Sequence, residues 1–270
     1  MKKIFAIVLA LIMCLPLAAC NGNVPQDSVP DDQTETGDLA YVQDKGTLVV
    51  GITEFEPMDY QDANGNWIGF DADMAAAFAE SLGVKVEFKL IDWGNKVTDL
   101  DEKNIDVVWN GMTLNDDVKA AMETSNPYFN NAQVVVVKKD AADKYQTVES
   151  LSDASFAVES RSAGQEQADE HGFTYTEVAD QATALQNVSS GTSDAAIVDF
   201  LMAMAMIGEG TGYADLTYTV SLSSEEYGVG FRKGSDLADA LNDFFAASYA
   251  DGSMQSIART YGIAAFLLAQ

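Results

Sequence analysis

The stretch GFDADMAAAFAESLGVKVEFKLI, residues 69–91, carries two periods in succession. From Asp71 to Leu82 it is Ala-rich and helical in pattern, and Gly83 closes it as a helix stop. From Val84 to Ile91 apolar and charged residues alternate, which is the period of a strand. The rhythm continues on both sides. Thr47 to Ile52 reads as a buried strand, and a helix-like stretch from Asn95 to Lys103 leads to another strand at Ile105 to Trp109. Strands alternating with helices in this way predict an α/β layer fold.

A second series starts after Gln133 to Lys138, a strand of four consecutive valines. Strands at Ser155 to Glu159, Thr174 to Val178 and Ala195 to Val198 are separated by helical stretches near Gly164 to Glu170 and over Asp180 to Ser190. Tyr227 to Arg232 is again strand-like, ahead of two helical stretches, Asp236 to Tyr249 and Met254 to Tyr261. Between Gly51 and Gly69, Asn64-Gly65 marks a hairpin tip flanked by Tyr60 and Trp67. Asp62, Asn64 and Asn66 have the spacing of a calcium loop, but Trp67 occupies the position where that loop needs glycine.

At 47% hydrophobic and 10% aromatic, the chain of 270 residues can bury a core of one large or two small domains. Its net charge of −27 repels nucleic acid and anionic lipid surfaces, so neither is an expected partner. Lys2 and Lys3 precede an uncharged apolar run, Ile4 to Leu15, too short to span a membrane. Leu17-Ala18-Ala19 then leads to Cys20, so residues 1–19 read as a secretory signal peptide. This exit resembles the bacterial lipobox, which implies diacylation of Cys20; the other reading leaves Cys20 as a free thiol. Residues 20–38, polar and punctuated by Pro25 and Pro30, are expected to be a disordered tether. Of the 2 cysteines, Cys14 leaves with the signal, so no disulfide or cysteine-based metal site is expected. The single histidine, His171, lies at what reads as a solvated helix end, which argues against zinc and serine-histidine-acid sites.

Several segments together resemble the extracellular amino-acid-binding proteins of ABC importers, family 3 of the solute-binding proteins. The clearest is Gly69-Phe70-Asp71-Ala72-Asp73-Met74 with Phe78 and Leu82-Gly83. In order along the chain come Trp109-Asn110-Gly111-Met112-Thr113, Ser125-Asn126-Pro127-Tyr128, Ser193-Asp194-Ala195-Ala196 with Asp199, and Tyr227-Gly228-Val229-Gly230-Phe231-Arg232-Lys233. The resemblance implies a two-lobed, periplasmic-binding-protein-like fold of type II. Lobe one would comprise 39–134 and 228–270 and lobe two 135–227, joined by crossings near Val134 to Val136 and Tyr227 to Val229. It also implies a monomer without a cofactor or catalysis. Such a protein would capture a small polar solute, an amino acid in this family, and deliver it to an importer permease from the outer face of the cell membrane.

Residue by residue, the resemblance puts Phe55 over the ligand and Trp93 as a second apolar wall, though either ring can instead be core. Asn110, Gly111 and Thr113 match a ligand-bonding loop, and Gly111 suits close backbone approach. Asp199 matches the acceptor for an ammonium group, a role compatible with capping the helix that follows. At the place of the family's carboxylate-clamping arginine stands Val118, which cannot supply the charge. Lys119 beside it, or Arg161 next to Ser162 in the second series, would have to replace it. Two other functions share the fold: a dehydratase acting on aromatic-amino-acid precursors, with Glu54 as an acidic group in the loop, and the sensor module of a receptor. The Cys20→Ser variant is expected to leave the membrane fraction for the medium; retention without acylation, followed by cell fractionation, would exclude the lipid anchor.

Overall fold

A computed structural model describes residues 37–270. The signal peptide, Cys20 and the tether as far as residue 36 lie outside the described residues. The tether gives way to helix α1 (Asp38–Lys45) sooner than the composition predicts. Its charges are matched from far along the chain: Asp38 pairs with Arg232 at 2.9 Å, and the Leu39 N–H donates to Asp236 Oδ1 at 2.8 Å.

Next come β1 (Thr47–Ile52), the hairpin strands β2 (Tyr60–Gln61) and β3 (Trp67–Ile68), α2 (Phe70–Ser81), β4 (Lys85–Leu90), α3 (Lys96–Asp101) and β5 (Val107–Thr113). Then follow α4 (Asp116–Ala121), β6 (Glu123–Thr124), β7 (Phe129–Asn131), β8 (Gln133–Lys138), β9 (Ser155–Glu159), α5 (Ala163–His171) and β10 (Thr174–Val178). The rest is α6 (Gln181–Ser190), β11 (Ala195–Asp199), α7 (Phe200–Met206), β12 (Leu216–Ser221), β13 (Glu225–Phe231), α8 (Leu237–Asp251) and α9 (Ser253–Thr260).

Two mixed sheets result. The first has the order β4-β1-β5-β13-β6, with β7 also on β13; β4, β1 and β5 run parallel and β13 antiparallel to its partners. The second has the order β10-β9-β11-β8-β12, parallel except for β8 against β11 and β12. The valine run in β8 fits a strand covered on both faces. Val134 and Val136 pack in one cluster with Leu185 and Val198, while Val135 and Val137 pack in another with Phe156 and Ile197. The chain passes to the second sheet at Ala132 and returns over residues 222–224. Gln133 and Val134 therefore sit in the second sheet, as the strand read from Gln133 to Lys138 has it, and Glu225 to Tyr227 sit in the first. Strand β13 begins on two polar residues, Glu225 and Glu226, ahead of the strand read from Tyr227.

The hairpin forms around Asp62, whose Oδ1 accepts from the backbone of Asn64 at 2.8 Å and Asn66 at 2.9 Å. Besides α1, the sequence reading left out α4, β6, β7 and β12. Helix α4 had a visible start, since Asn115 caps it by accepting from the Val118 N–H at 2.8 Å and two aspartates fill its first turn. No helix among the described residues is long and apolar enough to cross a membrane.

Helix α2 has no side-chain cap. Its first N–H groups donate instead to carbonyls of the preceding loop, Phe70 to Pro57 and Asp71 to Met58, both at 3.0 Å. That docking needs Gly69, whose φ is +126° and whose Cβ, if present, would stand 2.1 Å from the Met58 oxygen. Gly69→Ala is expected to lower unfolding free energy by at least about 2 kcal/mol in chemical denaturation, through strain and clash together. A change within about 0.5 kcal/mol would show that the loop docks loosely.

Candidate functional site

The sheets face each other across a cavity of about 370 Å³, a volume suited to a small molecule. Strand ends build it: Thr53 follows β1, Asn110 to Thr113 finish β5, Glu159 finishes β9 and Asp199 finishes β11. Side chains at the carboxyl ends of parallel strands stand clear of the sheet and can converge on a ligand.

The cavity brings together Phe55, Trp93, Asn110, Gly111, Thr113, Arg161, Ser162 and Asp199. Phe55 is only 3% exposed and packs edge-on to Tyr227 with centroids 6.2 Å apart, so it is both wall and core. Trp93 is likewise buried, in the cluster beneath α3 and β5. Val118 also lines the cavity, whereas Lys119 and Glu54 are not among its lining residues.

The loop at the end of β5 is rigid for reasons that face away from the cavity. The Asn110 carboxamide spends all its capacity internally: it donates to the Thr53 carbonyl at 3.0 Å and Asp59 at 2.8 Å, and it accepts from the Thr53 N–H and hydroxyl at 3.1 and 2.7 Å. Gly111 has φ +53° and its N–H donates to Asp71 Oδ2 at 2.7 Å. A Cβ there would lie 2.5 Å from the Phe55 ring. Both residues therefore shape the wall and have no side-chain donor left over for a ligand. This was not visible from their spacing.

On the opposite side, Asp199 is 4% exposed and saturated on one oxygen. Its Oδ1 accepts from Asn131, from Gln133 at 3.0 Å and from the Tyr227 hydroxyl at 2.6 Å, and its Oδ2 accepts from Gln181. It precedes α7 without forming a side-chain cap. Ser162 caps α5, accepting from the Gln165 N–H at 3.2 Å while donating to the Glu159 carbonyl at 2.8 Å. Arg161 holds the left-handed conformation at φ +57°, a region that favours glycine. Its guanidinium reaches across the cavity to the Gly94 carbonyl at 2.8 Å.

Of the charged residues lining the cavity, Lys96, Asp117, Glu159, Glu166 and Asp169 were missed, and the first and third of these are buried. Lys96, 9% exposed, lies one turn beyond Trp93; its ammonium donates to the Trp93 carbonyl at 3.2 Å and the Arg161 carbonyl at 3.4 Å and sits 4.5 Å from the indole centroid. Glu159, 4% exposed, has a buried Oε1 with no partner. Its place as a charged residue ending an apolar strand was the available signal. Burial pushes the Glu159 carboxyl up to about 8 and the Lys96 ammonium down to about 8. Burial also raises Asp199, Asp59 and, to about 7, Asp71.

A carboxyl raised on folding keeps a proton that the unfolded chain has lost, so each of these groups makes the fold less stable as pH rises through the interval between its two values. Lys96 acts in the opposite sense only above about 8. The melting temperature of the ligand-free protein is expected to fall between pH 5 and 8, and Glu159→Gln to reduce that fall. A melting temperature rising across the interval would refute the buried, protonated carboxyls.

Comparison with known proteins agrees with this architecture. The L-cystine-binding protein TcyJ of Escherichia coli K12 is 30% identical over 231 residues, covering 84% of this chain and 86% of that protein. The solved structure of an ancestral arginine-binding protein bound to arginine superposes with a TM-score of 0.75 at 32% identity, over 80% of this chain and 98% of that one. Cyclohexadienyl dehydratase of Pseudomonas aeruginosa is similar over a shorter part, 27% identical over 151 residues, 56% of this chain and 53% of the enzyme. The sequence model of the bacterial extracellular solute-binding proteins, family 3, matches residues 48–264, and this chain belongs to that family.

Proposed function

We propose that the protein captures a free amino acid outside the cell, in the cavity between its two sheets, and passes it unchanged to an ABC importer. The observation that carries this reading is a small cavity spanned by polar contacts from both sides. Arg161 bonds Gly94, Lys96 bonds the Arg161 carbonyl, and the Asn115 carboxamide donates to both Glu166 oxygens at 2.7 and 2.8 Å. These contacts are exposed or part-buried and few, so they can break and reform as the two lobes part and close.

Phe55 and Trp93 are proposed to wall the side chain, Thr113 and Ser162 to offer hydroxyls, Asp199 to accept from the ammonium, and Arg161 to donate to the carboxylate. The protein acts as a monomer tethered by lipid on Cys20 to the outer face of the membrane. The dehydratase relative makes conversion the competing reading, with Glu159 as the group able to donate a proton. Binding without conversion is favoured by the amino-acid-binding relatives, which match far more of the chain.

The test is a thermal-shift panel of the common amino acids and L-cystine, followed by mass spectrometry of the released ligand. A binder at a hundredfold its Kd is expected to stabilise by about 2.7 kcal/mol and to be recovered intact. Recovery of a dehydrated product would establish the enzyme, and no shift with any member would reject amino-acid capture.

A further inference from the structure

The amine of Lys96 and the carboxyl of Glu159 face one cavity, from α3 on one side and the end of β9 on the other. Both are more than nine-tenths buried, yet among the described residues neither takes part in an ion pair. A buried carboxylate and ammonium are each costly without a counter-charge. Pairing them directly would remove that cost; the structure instead holds them apart with the cavity available to both. Lys96 is fixed by two backbone carbonyls and the indole face, which leaves one N–H uncommitted. Glu159 keeps its Oε1 without any partner.

We propose that Glu159 and Lys96 are the specificity-determining ion pair completed by the ligand: Glu159 accepts from the ligand's ammonium group beside Asp199, and Lys96 donates to its carboxylate alongside Arg161, in place of the arginine absent at Val118. The inference rests on the amino-acid capture proposed above and names how the zwitterion is read. Asp199 alone is a poor seat for an ammonium, since Asn131, Gln133 and Tyr227 occupy one oxygen and Gln181 shares the other. Glu159 adds the unoccupied acceptor.

The charged surroundings of Glu159 favour a cation there. Burial raises its proton affinity most, Asp199 on β11 and Asp180, the cap of α6, add to that, and Lys96 across the cavity and the Gln181 carboxamide oppose them. Arg161 and Glu166, beside α5, act on Lys96 with opposite signs. On β10, Glu177 is engaged by Ser160 and Gln165. An arriving ammonium therefore displaces the proton that Glu159 carries near neutral pH, and binding releases it to solvent.

The experiment takes the amino acid giving the largest shift in the panel, its N-acetyl derivative and its carboxamide. Each is titrated calorimetrically into wild type, Glu159→Gln and Lys96→Met at pH 6.5, in two buffers of different ionisation enthalpy. Glu159→Gln should weaken the amino acid more than about tenfold and reduce the buffer dependence that reports proton release. It should change the N-acetyl derivative little, because that ligand has no ammonium. Lys96→Met should weaken the amino acid to a similar degree and leave the carboxamide nearly unaffected. Loss of a purely structural contact would weaken all three ligands together and leave the proton count unchanged, and that result would overturn the assignment. So would wild-type affinity in Glu159→Gln. Folding is checked by the melting temperature, which Glu159→Gln should raise at pH 8 by removing a buried carboxyl. If no amino acid binds wild type, amino-acid capture fails and this assignment with it; if wild type binds and both variants match it, only the assignment fails.

Discussion

Both places where the chain passes between its sheets are tied to one buried carboxylate, Asp199. Asn131 and Gln133, which bracket the first crossing, and Tyr227, just beyond the second, all donate to its Oδ1. Glu225 joins the same knot, accepting from Asn131 at 2.6 Å and Gln133 at 2.8 Å. Burial above all, and the Glu225 carboxylate beside it, raise the cost of ionising Asp199, so Asp199 holds a proton more readily than an ordinary aspartate. Four neutral donors surround it, and that polar network ties both crossings to one buried group.

A second polar knot fixes the floor on the first-sheet side. Asp71, at the start of α2, accepts from the Gly111 N–H and from the Tyr128 hydroxyl, each at 2.7 Å. Asp59 receives Asn110 from the same loop. The family signature around residue 71 thus serves the cavity indirectly: its carboxylate holds the backbone that holds the Phe55 ring. The absence of a Cβ at Gly111 lets that ring approach. Shape on this side is set by interactions buried below the wall, and chemistry is left to Lys96 and the second-sheet residues.

The cavity is therefore asymmetric in how it was assembled. Residues expected to touch ligand through side chains, Asn110 above all, have theirs committed to the scaffold. Charged residues with no place in the resemblance, Lys96 and Glu159, have theirs directed at the space. Arg161 is in between: its backbone occupies a conformation suited to glycine, and its guanidinium already spans to Gly94.

Periodicity along residues 47–109 and 133–198 determined the α/β class and most strand positions, because burial of alternate or successive positions leaves a local imprint in composition. The collinear motifs likewise identified the family and gathered eight residues that the fold does bring to one cavity. Local pattern could not show α1 as structured, since Asp38 and Leu39 are held by Arg232 and Asp236 from the far end of the chain. Nor could it show where β13 begins, because Glu225 is a polar residue whose partners in the strand, Asn131 and Gln133, lie far away along the chain. Whether a given carboxamide or carboxylate faces ligand or scaffold depends on partners dozens of residues away. Asn110 was bound inward by Thr53 and Asp59, and Glu159 was left without a partner for its Oε1; only the tertiary structure decided that, because hydrogen-bond saturation is a property of neighbours in space.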